Sequence, residues 1–130
     1  MKQKGFTLLE LLIVIGIIGV LVALATVSYS ATQKAGRDSR RKQDLIAIQN
    51  ALEQYYSATS YVYPTTCSTA VSYLKSAWPT DPADGSAYPK QTCSATTYCI
   101  CALLEKTGSG NSDINCGFTG GNYYCVGNLQ

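Results

Sequence analysis

The stretch MKQKGFTLLELLIVIGIIGVLVALATVSY, residues 1–29, decides how the chain must be read. Two lysines and Gly5 lead into a long apolar run whose only charge is Glu10. A carboxylate at membrane depth costs about 2.5–3.5 kcal/mol on insertion scales, so it needs a partner that offsets the charge. Between Phe6 and Gln33 there is no Lys, Arg or His to supply one. Cutting the chain after Gly5 would create an α-ammonium on Phe6, one helical turn from Glu10, and the carboxylate of one subunit could equally meet that terminus on a neighbour. At about 4 Å and an effective dielectric near 20, such a pair is worth on the order of 4 kcal/mol before desolvation. That is comparable to the insertion cost.

The residues K-G-F-T-L-L-E-L-L-I-V-I, 4–15, resemble the class III signal peptide of type IV pilins and pseudopilins. The resemblance implies cleavage by a prepilin peptidase between Gly5 and Phe6, N-methylation of Phe6, and Glu10 as the residue that orders subunits in a filament. It is firm over about the first 30 residues. Beyond them, to about Glu105, it rests on an amphipathic helix ending in Tyr55-Tyr56, a Tyr-Pro step and a short strand before Leu104-Glu105. Many type IV pilins carry a helix-breaking proline near the position of Val27, and this chain has none there. A secretory signal would need a shorter apolar core, a small-residue cleavage site and no Glu near its start. An ordinary single-span anchor fits by length, since Phe6 to Gln33 exceeds the ~20 residues needed to cross a bilayer.

After the leader, the simplest reading is one helix from about Phe6 to Ser57 or Ala58. No proline interrupts it, and Leu45, Ile48, Leu52, Tyr55 and Tyr56 recur at helical spacing. At 1.5 Å per residue it would run roughly 80 Å, apolar all round at first and then amphipathic. The expected organisation is a leader at residues 1–5, a membrane and assembly half of the helix at 6–30, an amphipathic half at 31–58 and a globular head at 59–130. The fold class is α+β, a single long N-terminal helix with a small β-containing head. Within that head AVSYLKSAW (70–78) reads as a short helix carrying Trp78 into the core, TTYCICALLE (96–105) as a strand, GSGNSDINCG (108–117) as a turn-rich loop and GGNYYCVGN (120–128) as a second strand.

A head of this size seldom draws more than about 3–5 kcal/mol from its core, so an added restraint is expected. Cys67, Cys93, Cys99, Cys101, Cys116 and Cys125 supply it, all of them in the head. With export implied, they read as three disulfides worth about 2–4 kcal/mol each, which places the head outside the cytoplasm. The pairing stays open, except that Cys99 and Cys101 would share one strand face and bond different partners, with Cys125 facing one of them across an antiparallel pair. No metal is expected: the chain has no histidine, and Cys99-x-Cys101 is not the paired spacing of a zinc ribbon. Asn111, Asp113 and Asn115 alternate as calcium ligands do, but the loop is short and weakly acidic.

Removing Lys2 and Lys4 takes the formal charge of +2 to zero, and nothing global points to nucleic acid. Locally, KAGRDSRRKQD (34–44) crowds five cations beyond the apolar run. The positive-inside rule, read alone, would keep the head in the cytoplasm. The leader motif and the cysteines together outweigh it. The cluster reads as a solvated or subunit-facing stretch of helix, with Asp38 and Asp44 available to pair with Arg41, Arg40 and Lys42, and direct nucleic-acid binding is not expected. Without histidine no Ser-His or Cys-His nucleophile can be built, so no enzyme and no cofactor are expected.

The reading is therefore a prepilin: an inner-membrane single-pass precursor with an extracytoplasmic head, polymerising with copies of itself into a pilus for adhesion, motility or DNA uptake. Its implied partners are the prepilin peptidase, an inner-membrane assembly platform and, before assembly, membrane lipid. The alternatives are a pseudopilin of a type II secretion system and, from another class, a monomeric membrane-anchored binding module.

Overall fold

The computed structural model describes residues 5–130, with the backbone alone at Val27 and Ser28. Apart from Gly5, the leader lies outside the described residues. Helix α1 is a single element, Leu8–Ala58. By length and composition it could cross a membrane, and none of its most apolar 18-residue window is buried. The chain divides into two compact units at 33/34, so the second part of α1 belongs with the head.

In the second unit α1 contributes a stripe at positions 38, 41, 45, 48, 52 and 55, alternating steps of three and four, which keeps all six on one face. Its upper members are charged. Its lower members, Leu45, Ile48 and Leu52 with Ala51 beside them, are fully buried. The helix ends where Ser60 and Tyr61 both adopt positive φ, 58° and 62°, and Tyr61 N–H bonds Tyr56 C=O at 3.0 Å.

Opposite the stripe lies a three-stranded antiparallel sheet in the order β1 (Lys90–Cys93), β2 (Tyr98–Leu103), β3 (Tyr123–Gly127). Period-two alternation gives each strand two faces. Tyr98, Ile100 and Ala102 of β2 and Val126 of β3 pack in the core with Leu45, Ile48 and Leu52, joined by Tyr63 and Tyr88. Each large side chain fully buried there stabilises the head by about 1.5–3 kcal/mol. The other face carries Cys99 and Cys101, and the register sets Cys101 directly opposite Cys125. All six cysteines are bonded: Cys67 to Cys93, Cys99 to Cys116, and Cys101 to Cys125.

The two strands expected around 96–105 and 120–128 are present, and β1 is an addition to them. The helix expected at 70–78 is instead a 3-10 helix at Cys67–Tyr73, which stops short of Trp78. Cys67, at its start, is bonded to β1, and that bond fixes where the segment lies. Trp78 is half-buried against the core, its indole N–H donating to Gln91 Oε1 at 3.0 Å. The loop at 108–117 folds back along the outer edge of β3. There the Asn111 carboxamide replaces a strand: its Nδ2 donates to Cys125 C=O at 3.0 Å and its Oδ1 accepts Cys125 N–H at 2.7 Å. The approach is so close at Gly110 that a Cβ would overlap the Tyr123 carbonyl.

Candidate assembly site

Helix α1 begins on Thr7-Leu8-Leu9-Glu10, a T-x-x-E sequence that closes a reciprocal cap. Thr7 N–H and Thr7 Oγ1 each donate to Glu10 Oε2 at 2.8 Å, and Glu10 N–H donates to Thr7 Oγ1 at 3.3 Å. Reasoning from the charge of Glu10 alone misses this cap, although the spacing carries the signal. The cap has a chemical consequence. A carboxylate in the first turn lies at the positive end of the helix dipole, and here it also accepts the Thr7 backbone N–H, so Glu10 has partial compensation within its own chain. Both bonds from Thr7 land on Oε2. Phe6 and the apolar residues from Leu8 to Leu24 are exposed around it, and among the described residues no ion pair reaches Glu10. Gly5 precedes the helix, with open space where a side chain would stand.

The basic stretch at 34–44 does something other than expected. Arg41 is buried, and it holds three carboxylates: Asp81 through paired bonds of 2.7 and 2.8 Å, Asp38 at 2.7 Å and Glu105 at 2.9 Å. Arg37 clasps Glu105 with two more bonds, 2.6 and 2.7 Å. Asp38 in turn accepts the backbone N–H of Glu105 and Lys106, at 2.9 and 3.0 Å. The expected Asp38–Arg41 pair is present, but it sits inside a buried cluster and not on a solvated stripe. Asp44 accepts the Tyr88 hydroxyl at 2.8 Å rather than pairing with an arginine, and Lys42 reaches Ser109 C=O at 3.3 Å beside the Tyr124 ring. The cause is that Asp81 and Glu105 arrive from the head, 40 and 64 residues away from Arg41. The Arg37 and Arg41 guanidiniums hold the Glu105 carboxyl down at about 2, and Arg41 lowers Asp81. Lower on the same helix, Glu53 Oε1 accepts the hydroxyls of Tyr98 at 2.8 Å and Tyr63 at 3.0 Å, and both phenols are pushed up by burial and by that carboxylate.

The candidate metal residues are otherwise engaged. The sulfurs of Cys99, Cys101 and Cys116 lie within 4.8 Å of one another, as a metal site would need, yet each is in a disulfide. Asp113 Oδ1 accepts the N–H of Asn115 and Gly117 at 2.8 and 2.9 Å, and the Asn111 carboxamide is spent on Cys125. The Asn-Asp-Asn alternation thus folds its own loop.

Residues 1–26 match the family model described as the prokaryotic N-terminal methylation motif. The chain is 40% identical to the type II secretion system core protein G of Escherichia coli K12 over 65 residues, 50% of this chain and 44% of that protein. Against the core protein G of Dickeya chrysanthemi it is 33% identical over 89 residues, 68% of this chain and 56% of the relative. Against the type IV major pilin protein PilA of Myxococcus xanthus it is 38% identical over 56 residues, 43% of this chain and 26% of the relative. The chain therefore spans about half the length, or less, of these relatives. No solved structure matches it. The motif heads the exposed apolar stretch of α1, with its one capped carboxylate. Residues 1–26 thus carry the prokaryotic N-terminal methylation motif, and about half of the chain is similar to type II secretion core protein G and to a type IV major pilin.

Proposed function

We propose that the chain is a structural subunit that polymerises through α1 into a type IV pilus-like filament. The observation that carries this reading is Glu10, the single charge in the exposed apolar stretch from Phe6 to Gln33, which offers it no cation. Cleavage after Gly5 supplies the cation as the Phe6 ammonium, which is then N-methylated. Thr7 keeps Glu10 tolerable in the unassembled subunit, and the ammonium of an adjacent subunit completes its neutralisation in the filament. The prepilin peptidase, an inner-membrane assembly platform and membrane lipid are the partners this route requires. The precursor sits in the inner membrane with its head extracytoplasmic. The three disulfides of the head support that orientation, against the positive-inside reading of the five cations at 34–44.

A secretion pseudopilin is the second reading, and it is favoured by the relatives named as type II secretion core protein G. The two differ in where the filament goes: a pilus is shed from the cell surface by shearing, whereas a secretion filament stays in the periplasm. Intact-mass measurement of the chain from membranes and from sheared surface material tests the route. A subunit that starts at methylated Phe6 is the expected result. Retention of Met1 or Lys2 throughout would contradict it and favour the monomeric anchored module.

A further inference from the structure

The two disulfides on the outer face of the sheet lie side by side. Cys101 and Cys125 are 0% and 1% exposed, so no reagent in solution reaches their bond directly. Cys99 and Cys116 are only half-buried. Cys116 Sγ stands 3.7 Å from Cys101 Sγ, and Cys99 Sγ stands 3.8 Å from it. A released thiolate would therefore be born in contact with a second disulfide. The carbonyl oxygen of Asp113 lies 3.1 Å from Cys125 Sγ, placed to accept the S–H of a Cys125 thiol. We propose that these four cysteines form a thiol–disulfide exchange site, with an external dithiol as its substrate and Cys116 as the relay to the buried pair.

The exchange begins when one thiolate of the dithiol attacks Cys99 Sγ, the Cys99–Cys116 bond breaks, and Cys116 leaves as a thiolate. The second thiol of the reagent resolves the mixed disulfide: the reagent is oxidised by two electrons and Cys99 is left as a thiol. Cys116 thiolate then attacks Cys101 Sγ. The Cys116–Cys101 bond forms, the Cys101–Cys125 bond breaks, and Cys125 leaves as a thiolate that takes a proton from water; its S–H then hydrogen-bonds the Asp113 carbonyl. This second step is an isomerisation with no net redox change, and it moves the disulfide to a sulfur that a second dithiol reaches. Exchange of this kind runs through the attacking thiolate and requires access and contact, which the half-exposed outer pair and the 3.7 Å separation supply in turn. Cys67–Cys93 takes no part, since its sulfurs bond at the other edge of the sheet.

The test uses the full chain in detergent with dithiothreitol, quenched by acid alkylation and read by peptide mapping. In the unsubstituted protein Cys125 should become alkylatable after Cys99 and by way of a Cys101–Cys116 peptide pair. In Cys99→Ala/Cys116→Ala, which leaves the buried bond in place without its relay, release of Cys125 should slow by at least about tenfold. Equal rates in the two proteins would overturn the proposal. Cys99→Ala alone leaves Cys116 as a free thiol; after equilibration at pH 8 it should yield both Cys101–Cys125 and Cys101–Cys116. Recovery of Cys101–Cys125 alone would also overturn it. Alkylation of Cys93 serves as the folding control, and its rate should match across all three proteins.

Discussion

Arg41 shows how one residue changes meaning between sequence and structure. As a member of a basic run it reads as a surface charge. With a side chain only 4% exposed and three carboxylates around it, it is the centre of an ionic cluster joining α1 to the head. Among the described residues no buried side-chain nitrogen or oxygen lacks a hydrogen-bond partner, so the cluster is fully satisfied. Breaking such a buried arrangement by removing one member is worth about 3–5 kcal/mol, because the groups left behind stay desolvated and unpaired. Arg41→Ala should therefore lower the stability of the full chain in detergent by that order, whereas the exposed Arg40→Ala should change it by less than about 0.5 kcal/mol. Urea unfolding followed by Trp78 fluorescence reads both. The cluster also sets an acid response. Glu105 is held at about 2 and Asp81 is lowered, below the 4.5 and 3.8 that they would have unfolded. Groups with depressed folded values contribute fully above the unfolded value and lose that contribution as pH falls through the folded one. Stability should be flat from pH 7 to about 5 and fall between about 4.5 and 2. Glu105→Gln should flatten that fall, and an unchanged profile in the variant would count against the assignment.

At the scale of elements, α1 is legible in the sequence because periodicity and the absence of proline are local facts, and the face it buries comes from the same pattern. Ile48 lies on that face and Ile46 lies off it. Ile48→Ala should cost about 2–5 kcal/mol and Ile46→Ala under about 0.5 kcal/mol, measured by the same urea titration. Strands β2 and β3 are legible through their alternating aromatic and β-branched residues. Strand β1, Lys-Gln-Thr-Cys, is short and polar and has no alternation to betray it; it is a strand because β2 offers it an edge. The 3-10 helix likewise starts not at residue 70 but at Cys67, where a tertiary bond, Cys67 to Cys93, holds the chain against β1. Beyond its i,i+3 pair Asp38–Arg41, the arginine cluster is illegible for the same cause: Asp81 and Glu105 lie 40 to 68 residues from the arginines, and no spacing rule connects them. The Thr7–Glu10 cap is legible in principle, since its members are three residues apart, but the lone charge of Glu10 overshadows it. Asn111→Ala should cost about 1–3 kcal/mol, because it leaves the Cys125 N–H and C=O at the strand edge without partners, with the loss seen as faster amide exchange along β3.

At the scale of the molecule, the two units divide the labour. Residues 34–130 carry the core, the disulfides and the ion pairs found among the described residues. The segment through Gln33 carries exposed apolar side chains and one carboxylate, a surface that lipid or other copies of the same helix would cover. A lone anchor has no use for Glu10, and deleting its charge would ease insertion. A polymerising subunit needs that charge to receive its neighbour's ammonium. Glu10→Gln keeps the length, the hydrophobicity and a carbonyl oxygen for the Thr7 cap while removing only the charge. The most direct measurement is the ratio of subunits in the sheared or periplasmic filament fraction to those in the membrane fraction, for the unsubstituted chain and for Glu10→Gln. The account predicts that the variant accumulates in the membrane at normal levels and is absent from filaments; a variant that assembles as well as the unsubstituted chain would contradict it.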